Sequence, residues 1–339
     1  MSGCHSVSYV AQAAWGQLDL LTRAQPIDDI LRSDRASAQL KRVLREVERI
    51  KRFAVDHGLE ASENYTRYAA LEREAAVWVV RACPALSLEP KTWHFPIVGS
   101  VPYLGYFDIR DAEHHAGQLR AAGLDVVVRG AAAYSTLGWF SDPLLSTMFS
   151  SAQNVIGNLV DTVIHESVHA TIYVPGQNVF NESLASFAAE RLTKHYLSER
   201  FGRRSGILKQ YRRFAHRRRR RIGQLVSVYE RLVRLYDSDQ PTEVKLQRKR
   251  RILRQAESKL GLEGRLNNAA LAGLRTYNSD HAAFARLLER CGGAWQTFFQ
   301  GMRDVEAGEF TEPQQQNIAS IIDTWNCAAA RRAPLEPTH

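Results

Sequence analysis

No apolar run in these 339 residues is long enough to cross a bilayer, so the chain is not threaded through a membrane by an apolar helix. Cysteine is sparse, with Cys4, Cys83, Cys291 and Cys327 far apart. The spacing excludes CxxC metal and redox motifs, and the odd number left beyond Cys4 argues against a fully disulfide-paired framework. No internal repeat and no flexible interdomain linker interrupts the chain. Ahead of Gly3-Cys4 the basic region and apolar segment of a lipoprotein leader are also missing, although the small-small-Cys end of a processing site is there. Two explanations remain open. Either the leader was removed and replaced by Met1, with Cys4 lipidated in the native precursor, or Cys4 is an ordinary terminal cysteine.

What is present is the composition of a soluble globular protein, 45% hydrophobic and 24% charged. The length permits one large domain or two intimately packed ones. A formal charge of +9 and a pI near 9.5 come mainly from two stretches, Arg203–Arg221 and Lys245–Arg251. Tyr211, Phe214, Ile222, Leu225, Val228, Leu232 and Leu235 recur at helical intervals through the first of these and beyond its end. A solvated helix with one buried face accounts for this pattern first. Contact with an anionic membrane surface ranks second and nucleic acid third, because no nucleic-acid module accompanies the five-arginine run.

One stretch states a chemistry. Residues 155–172 contain His165-Glu166-Ser167-Val168-His169, and Val160, Val163, Ile164, Val168 and Ile172 give it helical periodicity before Pro175-Gly176 ends it. Residues four apart share a helix face, so both imidazoles reach one ion, and Glu166 lies beside it as a candidate general base. A catalytic zinc site needs a third protein ligand and an open position. Glu182, in a second helical segment after the turn, is the leading candidate, with Glu190 and then His195 competing. Asp161 and Glu190 are candidate carboxylates for orienting His165 and His169.

Around this helix the chain divides into a helical scaffold over 1–74, a core over 75–200, a basic helical cap over 201–330 and a tail over 331–339. Helices are expected over 10–23, 36–57, 109–122, 204–236, 243–260, 280–290, 294–305 and 311–326, and strands near 75–82, 91–97 and 124–136. The small-residue run Ala131–Thr136, with Ala132, Ala133 and Tyr134, would let a peptide pair as an added strand over the ion. Tyr103, Tyr106 and Trp139 are candidate pocket walls, Asn267 or Asn268 a candidate binder of substrate backbone, and Tyr134 and Tyr277 candidate oxyanion donors. Each is equally compatible with packing.

The segments GCHSVSYVAQAAWGQ, WHFPIVGSVPYLGYF, RGAAAYSTLGWFSDPLLST, IHESVHATIYVPGQNVFNESLASF and NNAALAGLRTY resemble a family of predicted bacterial aminopeptidases, zinc metallopeptidases of the glutamate-third-ligand class. The resemblance implies one zinc on His165, His169 and Glu182, with Glu166 as general base and peptides as substrates. It implies a mostly helical, zincin-like α+β fold with a small mixed or antiparallel sheet and a helical C-terminal cap. It also implies a periplasmic protein tethered by lipid on Cys4. The interval to Glu182 is shorter than in thermolysin-like enzymes, which keeps Glu190 in play.

Overall fold

The apolar stripes close into helices, and the β-rich stretch between them supplies three small sheets. The computed structural model describes residues 3–95, 99–133, 141–149, 154–262, 264, 266–273, 281–312, 315, 317–325 and 327. In chain order the elements are α1 (Gly3–Arg23), β1 (Gln25–Pro26), α2 (Ile27–Arg32), α3 (Ala38–Asp56), β2 (Arg67–Ala69), β3 (Val77–Cys83), β4 (Trp93–Phe95), β5 (Gly99–Val101), β6 (Leu104–Tyr106), α4 (Ile109–Ala121), β7 (Asp125–Ala131), β8 (Leu144–Leu145), α5 (Val155–Thr171), α6 (Asn178–Phe201), α7 (Gly206–Tyr236), α8 (Thr242–Leu260), α9 (Asn268–Ala272), α10 (His281–Arg290), α11 (Trp295–Arg303) and α12 (Ala319–Ile322). The fold is α+β and mostly helical. Among the described residues no helix is long and apolar enough to cross a membrane.

Local chemistry explains most boundaries. Ser37 caps α3, its hydroxyl accepting the Leu40 N–H at 3.1 Å, and the helix buries Val43, Leu44, Val47, Ile50 and Phe53. Asp108 caps α4 through the Arg110 N–H at 2.8 Å. The first helix starts at Gly3, earlier than its apolar pattern implies. Among the described residues, the helix expected over 311–326 is represented by the four residues of α12. Within that span Gln177 binds the Glu312 carbonyl through Nε2 at 2.9 Å and receives the Gln315 N–H on Oε1 at 3.0 Å. The described residues 311, 312, 315, 317 and 318 lie outside any helix, and a side chain satisfies backbone groups of Glu312 and Gln315.

In the largest antiparallel sheet β3 is central, with β6 on one side and β7 on the other. Its Val80, Ala82 and Val126 pack against Ala112, Ala116 and Leu119 of α4. The main core joins α3, α5, α6, α10 and α11 through residues such as Leu44, Val163, Leu184 and Phe298, so the scaffold, core and C-terminal segments share one interior. A second core lies between α7 and α8. Buried Lys249 of α8 bonds Asp125 Oδ2 at 2.6 Å and the Ala85 carbonyl at 2.8 Å, fastening the basic helices to the sheet. Cys291 and Cys327 form a disulfide with Cα atoms 5.4 Å apart, while Cys83 is buried and unpaired.

Candidate metal centre

Two helices build the site, and the turn between them sets their register. Asn154, in left-handed backbone at φ 65°, begins α5, a conformation asparagine tolerates better than most residues. After α5 ends, Asn181 reaches back from the first turn of α6, its Oδ1 accepting the Val174 N–H and its Nδ2 donating to the Val174 carbonyl, both at 2.9 Å. That buried clamp holds the Val174–Gln177 turn, and the next residue, Glu182, faces the α5 histidines.

His165 Nε2 lies 3.2 Å from His169 Nε2. Glu182 Oε2 lies 3.4 Å from His165 Nε2, and its Oε1 lies 3.4 Å from His169 Nε2. These groups form the cluster among the described residues whose donor atoms converge as metal ligands would. Ligands about 2.0–2.1 Å from a tetrahedral zinc stand about 3.3–3.4 Å from one another, so the observed triangle fits such an ion. Glu182 Oε2 is buried without an aligned hydrogen bond, another mark of an atom placed for something other than a protein donor. Side-chain exposures of 19%, 11% and 23% for His165, His169 and Glu182 leave the triangle open to solvent on one side.

Electrostatics at the cluster follow from this crowding. Burial lowers the His165 pKa, but Glu182, Glu166 and Asp161 outweigh it and leave it raised. Burial works against the Glu182 carboxylate too, yet hydrogen bonding and charge from His165 and His169 bring its pKa down to about 2. Glu166 is raised, first by burial and then by Glu182 and Asp142, with the two histidines opposing.

The other expected site residues fall in different places. Glu190 is neither ligand nor partner of His169: it takes Lys194 Nζ at 2.6 Å, pairs with Arg219 and lies 3.9 Å from Arg218 Nη2. The His169 Nδ1 is buried with no hydrogen-bond partner. Asp161 accepts from the Tyr211 hydroxyl and lies 3.5 Å from Arg218 Nη1, so it acts on His165 through charge and not as a hydrogen-bond acceptor for its ring. His195 pairs with Glu199 at 3.2 Å beside His57, away from the ligands. Asn268 is fully buried, its amide donating to the Pro84, Ala85 and Ser87 carbonyls and accepting from Tyr236, which leaves it no atom for substrate. Asn267 donates to the Val126 carbonyl at 2.9 Å.

Tyr106 is buried in the sheet core against Tyr9 and does not wall the cleft. Tyr103 remains 44% exposed, and its pKa is raised, first by burial and then by the charge of Glu182. The Ala132 carbonyl accepts from Thr147 at 2.5 Å, and Ala133 packs at the edge of the main core. Tyr134, Trp139 and Tyr277 lie outside the described residues. Sequence reading missed Tyr65, a buried residue at φ 63° whose phenol feels Glu166 and Asp142 after burial itself. Its N–H donates to the Asp142 carbonyl at 2.8 Å, and Asn64 receives the Asp142 N–H at 2.9 Å. Nothing in Asn64-Tyr65 advertises this, because the contact spans a long stretch of chain.

Two ligand-bearing helices with an HExxH signature and a converging glutamate define the class of zinc-dependent peptidases. The chain belongs to the family described as "Putative aminopeptidase", which matches residues 8–317. No curated protein and no solved structure matches it.

Proposed function

We propose that this protein is a zinc-dependent aminopeptidase of the glutamate-third-ligand class, one zinc per chain, acting on peptides. The observation that carries the reading is the triangle of His165, His169 and Glu182, partly open to solvent, with Glu166 on the same helix. The family description supports the choice of the N-terminal bond.

When bound, zinc supplies Lewis acidity, polarising a peptide carbonyl and lowering the pKa of the water it holds. His165 and His169 would hold it through Nε2 and Glu182 through its carboxylate. Glu166 takes the proton of the attacking water on a carboxylate oxygen and passes it to the leaving amine. Burial and the neighbouring Glu182 and Asp142 raise its proton affinity, which suits a group that first accepts and then returns a proton. Tyr103, 44% exposed, is the residue we assign to the wall of the approach.

Location in an oxidising compartment, the periplasm, with lipid on Cys4 of the native precursor, belongs to the same proposal. The Cys291–Cys327 pair supports it, since such bonds persist where thiols are not kept reduced. The exposed arginines of α7 and α8 suit an anionic membrane surface.

The test is a set of identical peptides with free and N-acetylated termini, followed by mass spectrometry. The free peptides are expected to lose their first residue and the acetylated ones to survive. Glu166→Gln is expected to retain zinc and lose about 100-fold or more in kcat. Internal cleavage indifferent to acetylation makes the protein an endopeptidase, and zinc without turnover makes it a peptide-binding protein.

A further inference from the structure

Helix α6 begins at a residue poorly suited to begin a helix. Gln177 occupies the N-cap position, where Ser, Thr, Asp and Asn are preferred, and its side chain makes no capping hydrogen bond. It is nevertheless only 4% exposed, and a buried amide is costly unless both its ends are bonded. Both are, to backbone far away in the chain: Nε2 donates to the Glu312 carbonyl at 2.9 Å, and Oε1 accepts the Gln315 N–H at 3.0 Å. Three residues on, the fully buried ring of Phe180 meets Phe284 of α10 and Phe310, with centroids 6.0 and 5.4 Å away. The first turn of α6 therefore rests on the C-terminal stretch at two adjoining points.

That stretch is itself fixed. Gln315 closes it locally, its Oε1 accepting the Thr311 N–H at 2.8 Å and its Nε2 donating to the Asn317 carbonyl at 3.0 Å. Beyond it Ile318 and Ile322 are fully buried in the main core, Asp323 takes the Arg286 guanidinium of α10 on both oxygens, and Trp325 Nε1 donates to the Gly301 carbonyl of α11 at 2.9 Å. Glu182 is the residue that needs such a reference. It follows Phe180 by two positions, about 200° around the helix, so the metal ligand leaves α6 on the side opposite the one that Phe180 braces. Metal ligands are ordinarily oriented by outer hydrogen bonds, but among the described residues no donor other than His165 and His169 meets the Glu182 carboxylate. The placement of the helix has to aim it, within the tolerance of about 0.5 Å that such a site allows.

We propose that Gln177 is a positioning residue for the metal centre: by binding the backbone of Glu312 and Gln315 it seats the first turn of α6 on the C-terminal stretch and holds Glu182 at the distance from His165 and His169 that a metal ion requires. This rests on the zinc reading above. Asn181 steadies the same turn from the α5 side, and Gln177 steadies it from the side of α10 and α11.

The test titrates metal into the full-length protein, reading zinc affinity by competition with a chelator and ligand geometry from the visible absorption of the cobalt form. Gln177→Met keeps the length of the side chain and loses both bonds, and Phe310→Leu thins the second contact. Lys249→Met breaks the buried tie between α8 and the sheet, which does not involve α6, and so reports what lost stability does by itself. Gln177→Met is expected to bind zinc at least about tenfold more weakly and to lose intensity in the tetrahedral cobalt bands, with Phe310→Leu showing the same changes to a smaller degree. Lys249→Met is expected to lower the urea midpoint as much or more while keeping the parent's zinc affinity and cobalt spectrum. A parent-like affinity and spectrum in Gln177→Met, or an equal loss of affinity in Lys249→Met, would overturn the proposal. Where Gln177→Met does not fold, Phe310→Leu decides by the same two readings. A parent protein that binds no metal overturns the proposal and the zinc reading together. Zinc binding that depends on Gln177 in a protein that hydrolyses no peptide leaves the positioning role standing and removes the peptidase reading.

Discussion

Glu182 and Glu190 sit two turns apart on one helix, and their neighbours give them opposite roles. Glu182 meets two imidazoles; Glu190 meets Lys194, Arg218 and Arg219. Glu182→Gln is therefore expected to weaken zinc binding beyond the about 10–100-fold typical of losing an outer partner. Glu190→Gln should keep the zinc but cost about 1–3 kcal/mol of stability by stranding its cations; metal analysis and urea melts of the two variants check this. Protonation follows the same geometry. In the metal-free protein His165 is raised above its ordinary 6.5, so the stability it contributes is full below 6.5 and is lost as pH rises through its folded value. Glu182, depressed from 4.5 to about 2, contributes stability above 4.5 that is lost as pH falls toward its folded value. Zinc needs His165 without its proton, so affinity is expected to climb with pH through the raised His165 value, with proton release visible as buffer-dependent heats in calorimetry. A zinc affinity independent of pH across neutrality would contradict this.

At the scale of elements, the α5–α6 hairpin depends on Asn181 as much as on the ligands. Asn181→Ala leaves the Val174 N–H buried without a partner, at about 1–3 kcal/mol, and takes from the Val174 carbonyl one of its two donors, the Gln177 N–H remaining. It is expected to lower the urea midpoint and to weaken zinc binding together, because the turn sets where Glu182 points. Asn181→Asp, which keeps the acceptor but loses the donor, should fall between. The histidines were legible from a spacing of four, which needs only the helix to bring them together. Asn181 was visible as a letter beside Glu182, but its clamp depends on the path of the turn. Similarly, Glu190 had the spacing to reach a metal, and only the position of α7 shows that Arg218 and Arg219 take it instead. Within the helix expected over 311–326, Gln177, far away in the chain, bonds the Glu312 carbonyl and the Gln315 N–H, and the described residues before α12 are not helical.

For the whole molecule, a main core shared by α3, α5, α6, α10 and α11 makes the metal site sensitive to distant changes. The Cys291–Cys327 bridge closes 36 residues of sequence separation around α11 and α12. By loop-closure entropy its removal in Cys327→Ser costs about 3–4 kcal/mol, read as a lower denaturant midpoint than the oxidised parent protein. A reductant should shift the parent and not the variant.

The sequence alone determined the helical character of the chain, the pair of histidines on one helix face with Glu166 beside them, and the basic character of α7 and α8, because these depend on spacing along one element and on composition. Only the tertiary structure decided between Glu182 and Glu190, brought Tyr65 to Asp142 and removed Asn268 and Tyr106 from the cleft. Those outcomes depend on how separate elements pack, and the energies that select a packing belong to contacts between residues far apart in the chain.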